Sequence, residues 1–205
     1  MVPVGSVEQH GPHLPLDTDT RIAVAVAERA ITGLPGVALA PPVAIGASGE
    51  HAGFPGTLSI GTEALTAVLT ELGRHASLYW PVLLLVNGHG GNATAVEAAT
   101  SRLRYEGRAA HAWHAHVPGG DAHAGRTETS LLLAIAPEVV RLGKASAGDT
   151  RPTSELMPLL RDRGVREISP NGVLGDPAGA SAAEGERLLA DLAQRLAQEI
   201  ADKRP

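Results

Sequence analysis

The sequence predicts an α/β domain of three layers (α/β/α), with a mostly parallel sheet between helices. Three observations carry that reading. Strand-like and helix-like runs alternate along the chain, the pattern of linked βαβ units. The most apolar run, Val82-Leu-Leu-Leu-Val86, is short and sits between turn-forming residues, as a buried strand does. Polar clusters rich in glycine follow the strand-like runs, and open parallel sheets gather their sites at the carboxyl ends of strands.

Each element has its own signal. Residues 2–7 read as a short buried strand. Residues 19–31 read as a helix, with Ile22, Val26 and Ile31 among its apolar positions. Residues 37–45 are strand-like but broken by Pro41-Pro42. A helix covers 62–72 and extends toward Tyr79. The best strand is 82–87. Asn92 is placed to cap a helix running to Tyr105. A strand follows at 109–116, then helices at 128–135, 154–161 and 183–201.

Composition narrows the function. The 205 residues suit one domain, residues 1–205, with a real core. Aromatic residues make up only 2%, so Ala, Val, Leu and Ile must pack that core. The net charge of -5 gives no basic face, which argues against nucleic acid as a partner. The chain has no cysteine, which removes thiol nucleophiles, thiolate metal sites and disulfides. This fits a cytoplasmic location. Any metal must be held by His, Asp or Glu. The first residues lack the basic and apolar regions of a signal peptide. No apolar run is long enough to span a bilayer, so no membrane is expected.

Four clusters carry candidate chemistry. The first, Gly5-Ser-Val-Glu-Gln-His-Gly-Pro-His-Leu-Pro-Leu-Asp-Thr-Asp19, follows the first strand. Glu8 and His10 are two apart and share a side of an extended chain. With Asp17 and Asp19 beyond the loop, the set offers ligands suited to zinc, manganese or iron. Read singly, Asp17 or Asp19 is better taken as a helix cap, and it is the whole set at a strand end that favours a metal. The second cluster, Asn87-Gly-His-Gly-Gly-Asn92, exposes His89 between a strand and a helix, as a metal ligand or general base. A phosphate-cradling loop is the alternative, but the loop has no P-loop lysine and no G-x-G-x-x-G fingerprint.

The third cluster is Gly119-Gly-Asp-Ala-His-Ala-Gly-Arg-Thr-Glu-Thr-Ser130. It sets His123 in a glycine-rich loop and Glu128 in a first helical turn; by itself it reads as capping by Thr127. The fourth, Ser48-Gly-Glu-His-Ala-Gly-Phe-Pro-Gly-Thr57, brings Glu50, His51 and Phe54 as a binding loop or an ordinary turn. His114 and His116 alternate on a strand, where a solvated face is the simpler account. No G-x-S-x-G elbow and no H-E-x-x-H helix is present.

Taken together, these segments resemble the creatininase (creatinine amidohydrolase) family. The matching stretches are 5–19, Phe54-Pro-Gly-Thr57, the 87–92 cluster, His123-Ala-Gly125, Glu128-Thr-Ser130 and Gly172-Val-Leu-Gly-Asp-Pro177. Leu16-Asp-Thr-Asp-Thr-Arg-Ile-Ala23, Gly46-Ala-Ser-Gly-Glu-His51 and Gly120-Asp-Ala-His-Ala-Gly125 look most like a peptidase branch. That branch removes a short C-terminal dipeptide from a modified precursor peptide.

The resemblance implies two divalent metal ions per subunit (Zn, Fe or Mn). Glu8, His10, Asp19 and His89 match ligands, with Asp19 bridging. In creatininase proper a Glu stands two residues after the His of the second cluster; here that position is Gly91. Glu128 looks like its replacement, with a part in catalysis as well. His123 matches a proton-handling histidine, and Glu50 and His51 are expected to contact substrate. The missing Glu counts against creatinine as substrate, though a cyclic amide or formamide stays the alternative to a peptide. Hexamers are typical of the family, so a homo-oligomer is expected. More chain ahead of the first strand, often a helix, is also usual there. Two other classes remain, a non-catalytic metal-binding protein and a nucleotide-binding module. The first predicts a closed coordination shell and the second predicts affinity that survives chelation.

Overall fold

The structure is a computed structural model and describes residues 1–203. Its centre is a parallel sheet of β1 (Val2–Val4), β2 (Leu83–Asn87) and β3 (Ala110–His114), in the order β1-β2-β3. Val2 pairs with Leu85, and Leu83 pairs with Ala110. The register brings the carboxyl ends Val4, Asn87 and His114 level with one another.

The middle strand shows why the layers form. Every residue of β2 is buried, and its side chains alternate between two cores. Leu84 and Val86 pack with Ile22, Val26, Leu132, Leu192 and Leu196. These come from α1 (Thr18–Ile31), α4 (Arg126–Ile135) and α7 (Ala182–Lys203). Leu83 and Leu85 pack on the other face with Leu65, Leu69 and Leu103, from α2 (Gly61–Ala76) and α3 (Ala93–Tyr105). The three-layer α/β/α expectation therefore holds. Chain similarity reported below supports the same fold.

The structure corrects three local expectations. The strand expected at 37–45 is not a strand. That segment runs beside β1, with Ala40 N–H donating to Met1 O and Val43 N–H to Pro3 O. Pro41 and Pro42 have no N–H to donate, and they insert an extra residue between those bonds, so the ladder reduces to one bridge at Val43. The first strand ends at Val4, because Gly5 N–H turns to Val43 O and Val7 bridges Leu58. Asn92 ends on the N-terminal side of α3 but makes no cap bond. Its side chain instead accepts from Ala47 N–H and donates to Gly5 O, tying three loops together under the site.

Two further helices follow β3 and α4: α5 (Thr153–Arg163) and α6 (Val165–Ile168). Neither packs on the sheet. They cover the carboxyl edge through Leu156 and Val165, which cluster with Leu174. Among the described residues no helix is long and apolar enough to cross a membrane.

Close helix packing gives a test of the fold. Gly185 sits in α7 where a Cβ would lie 1.8 Å from the Ser130 carbonyl oxygen of α4. Alanine is favoured over glycine in a helix by roughly 1 kcal/mol, but overpacking a tight contact costs about 1–3 kcal/mol. A backbone carbonyl has little room to yield, so Gly185→Ala is expected to lower the urea midpoint in spite of its better helix propensity. An unchanged or raised midpoint would show that α4 and α7 do not approach this closely.

Candidate metal centre

The centre lies where β1 and β2 end and α1 and α4 begin. Glu8, Gln9 and His10 follow the first strand in an irregular stretch that carries their side chains inward, and all three are buried. Asp19 lies in the first turn of α1, and Ser6 Oγ donates to its Oδ2 at 2.5 Å. His89 sits on the turn after β2, held by Asn87, which donates to the His89 carbonyl at 2.7 Å. Glu128 lies in the first turn of α4, where the Ala124 N–H donates to its Oε2 at 2.6 Å.

These groups converge closely. His10 Nε2 lies 3.1 Å from Asp19 Oδ1 and 3.7 Å from Glu128 Oε2. His89 Nδ1 lies 3.2 Å from Asp19 Oδ2, and its Nε2 lies 3.0 Å from Glu8 Oε2. Among the described residues, three sets offer ligand atoms within 4.8 Å of one another: Glu8, Asp19 and His89; His10, Asp19 and Glu128; Glu8, His10 and His123. Asp19 belongs to two of them, one through each ring of its neighbours.

Two observations test whether this donor set suits a cation. Glu8 is fully buried, yet neither of its carboxylate oxygens has a hydrogen-bond partner. Such a group costs several kcal/mol unless a positive charge faces it. The second is the tautomer of His10. Its Nδ1 lies 3.1 Å from the Glu8 carbonyl oxygen, which can only accept, so Nδ1 carries the hydrogen. Nε2 therefore faces two carboxylates, with a lone pair whenever the ring is neutral. The residues fit a metal ion, because lone pair and carboxylates then share one cation.

Without a cation, protons must do that work. Burial raises Glu8 to about 8, and the nearby histidines offset only part of the rise. Burial likewise raises Glu128 to about 7. For His10 burial disfavours the charged ring, but Asp19, Glu128 and Glu8 outweigh it and push it up to about 10. His89 is also raised, since Glu8, Asp19 and Glu50 overcome its burial. Asp19 is held well below the usual carboxylate range, because His10 and His89 overcome its burial. His51 and His123 go the other way. Burial lowers His51 to about 4, and burial with the charge of His10 lowers His123.

The remaining expected residues surround this set. His123 faces Glu8 Oε1 through Nδ1 at 3.6 Å, and its ring lies 4.2 Å from that of His10. His51 faces the same oxygen through Nε2 at 3.3 Å. Glu50 lies 3.3 Å from His89 Nε2 and is 27% exposed at the mouth of the site. A Cβ on Gly91 would fall 2.3 Å from Glu50 Oε1 and 2.4 Å from His89 Nε2, so Glu50 occupies the space that a side chain at position 91 needs. Asp17, by contrast, stays outside and pairs with Arg21 at 2.8 Å. His114 also stays outside, between Asn87 and Glu97.

Sequence reasoning missed four contributors. Ser6 and Gln9 stand inside the first cluster but look like linkers between charged residues. His13 is buried against Thr129 Oγ1 at 2.9 Å, 116 residues away in sequence. Asp121, not Thr127, caps α4, accepting from the N–H groups of Arg126 and Thr127. Only their place inside motifs could have drawn attention to them.

Comparisons agree with this geometry. The family model described as creatinine amidohydrolase matches residues 1–200. A protein of Mycolicibacterium smegmatis named "Mycofactocin precursor peptide peptidase" is 55% identical, over 98% of this chain and 83% of its own. A solved creatininase variant of the Zn-Zn type has a TM-score of 0.80 at 27% identity, covering 100% of this chain and 90% of that one. A structure titled "Creatininase Mn" has a TM-score of 0.79 at 26% identity, with the same coverage.

The proton positions predict a measurable linkage. Near neutral pH the metal-free site holds extra protons, because Glu8, Glu128 and His10 are raised to about 8, 7 and 10 and His89 is raised as well. Metal uptake must expel them. Affinity is therefore expected to climb as pH rises through about 7 to 10. Calorimetry in buffers of differing ionisation enthalpy is expected to show net proton release. Uptake without proton release would contradict the protonated site.

Proposed function

This chain belongs to the creatininase family, and from that premise we propose that it is a metal-dependent peptidase. Its substrate is the mycofactocin precursor peptide, from which it removes a short C-terminal dipeptide. The observation that carries the reading is the position of Asp19, shared by two ligand sets at the floor of one cleft. Glu8, Asp19 and His89 would hold one divalent ion, and His10, Asp19 and Glu128 would hold a second. Zinc, iron and manganese all accept such ligands. The enzyme works in the cytoplasm as a homo-oligomer, a hexamer by family resemblance.

When bound, two such ions supply Lewis acidity that lowers the pKa of water from 15.7 toward roughly 7 and polarises an amide carbonyl. The chain's own groups do the rest. Hydrolysis breaks the C–N bond, adds the water oxygen to the carbonyl carbon, and moves one proton to the leaving nitrogen. His123 is the group to carry that proton, at Nδ1. Its Nε2 lies 2.8 Å from the Gln9 carbonyl oxygen and keeps its own hydrogen there. Its lowered basicity leaves Nδ1 free to accept before it donates. Glu128 anchors the floor by holding α4's first turn against His10. Glu50 meets the substrate at the rim, and His51 meets it from its buried place beside Glu8.

The cleft supports a peptide over a small ring. It encloses about 1110 Å³ and runs from His89 and His123 to Met157, Leu160 and Arg163 of α5. Pockets for small ligands span roughly 300–1000 Å³, so a cyclic amide would leave most of this one unfilled.

Ligand substitutions test the reading. Glu8→Gln and His89→Ala are each expected to weaken metal binding by more than roughly 100-fold, beyond the 10–100-fold that outer partners cost. Both are expected to abolish cleavage of the precursor peptide. Metal analysis beside a parallel assay on the peptide, creatinine and a formamide reads both effects, with and without chelator. Full metal and full activity in either variant would sink the proposal, and turnover of creatinine alone would move the substrate.

A further inference from the structure

The motif Glu8-Gln9-His10 contains one residue with no assigned task, and its surroundings are unusually complete. The Gln9 side chain is buried, 5% exposed, between the rings of His51 and His123. Its Oε1 accepts from the Gly11 N–H at 2.9 Å. Its Nε2 lies 3.0 Å from the Gly172 carbonyl oxygen. The first contact requires an oxygen and the second requires a donor, so the amide has one orientation.

With that orientation the hydrogens can be placed. A side-chain amide has two N–H groups. One goes to Gly172 O. The other is left for a ring nitrogen, and two candidates are in reach: His51 Nδ1 at 2.9 Å and His123 Nε2 at 3.1 Å. His123 Nε2 is excluded, because it lies 2.8 Å from the Gln9 main-chain oxygen and must donate to it. The second amide hydrogen therefore goes to His51 Nδ1, which must be unprotonated. Both amide hydrogens of Gln9 then meet an acceptor.

We propose that Gln9 is a positioning residue that fixes the tautomers of two histidines, through its side chain at His51 and its main chain at His123. His51 is left with its hydrogen on Nε2, turned toward Glu8 Oε1 at 3.3 Å. His123 is left with its lone pair on Nδ1, turned into the site. One residue thus gives His51 a donor face and His123 an acceptor face toward the same carboxylate. The surrounding backbone is shaped to it: Gly172 has φ of 82°, and a Cβ there would fall 1.8 Å from Gln9 Oε1.

The inference rests on the peptidase reading only for what Glu8 does. The tautomers themselves are read without turnover, so the two fail separately. The experiment is nitrogen NMR of histidine-labelled, zinc-loaded protein. In the unmodified protein both rings are expected to carry hydrogen on Nε2, with His51 Nδ1 unprotonated. Gln9→Glu and Gln9→Met remove the amide donor but keep the main-chain oxygen. Both are expected to change the His51 pattern and leave His123 with its hydrogen on Nε2. General distortion would instead move both rings. Zinc affinity is expected to fall roughly 10–100-fold in both variants, as loss of an outer partner does. A hydrogen on His51 Nδ1 in the unmodified protein would overturn the proposal. So would a His51 pattern unchanged in the variants, and the unmodified protein alone decides the matter if neither variant folds.

Discussion

The structure depends on how one carboxylate is buried. Asp19 enters the site from the first turn of α1, with Ser6 on one oxygen and imidazoles of two different loops on both. Burying a carboxylate is costly unless it is paired and hydrogen-bonded. Those partners come from the segments after β1 and β2, so α1 can seat only when both strand ends are in register. The parallel pairing of Val4 with Asn87 does that. The two apolar cores stabilise the layers, and Asp19 decides how the layers are indexed against each other.

The other acids make the same demand and leave it only partly met. Glu8 is fully buried with imidazoles close by but no hydrogen bond to either oxygen, and Glu128 sits 3.7 Å from His10 Nε2. A folded chain carrying these groups either takes up protons or takes up cations. The raised positions of Glu8, Glu128 and His10 express the first choice, and the proposed metal pair expresses the second. A site built this way resists closing on apolar substitutes, since removing one partner strands the rest.

Much of the fold was legible because its signals are local. The strand at 82–87 and the helices at 62–72 and 183–201 follow from apolar spacing within a single element, and each lies within a few residues of its observed bounds. The segment at 37–45 misled for the same reason. Its β-branched residues promise a strand, while the loss of two N–H groups at Pro41-Pro42 matters only once β1 lies beside it. The candidate site divides along the same line. Charged residues in motifs stand out in the sequence, and the structure gathers Glu8, His10, Asp19, Glu50, His51, His89, His123 and Glu128 in one place. Gln9, His13 and Asn92 act across 42 or more residues, through hydrogen bonds that no spacing rule encodes.

Gly91 shows how a change at one position is absorbed elsewhere. A side chain there would overlap Glu50, His89 and the Ala47 carbonyl oxygen, all within 2.5 Å of its Cβ. Glu50 and a residue larger than glycine at 91 are therefore alternatives for one space. Glu50 touches His89 but belongs to neither ligand set that contains Asp19, and the carboxylate that joins His10 and Asp19 is Glu128. The acid at the mouth of the site is thus delivered by the loop before α2, and the acid at its floor by the first turn of α4. Splitting the two tasks between separate elements leaves Glu50 partly exposed, where a substrate can meet it, while Glu128 is held by the Ala124 N–H. On the proposed reading, that separation lets the rim change with the substrate while the floor keeps its ligands.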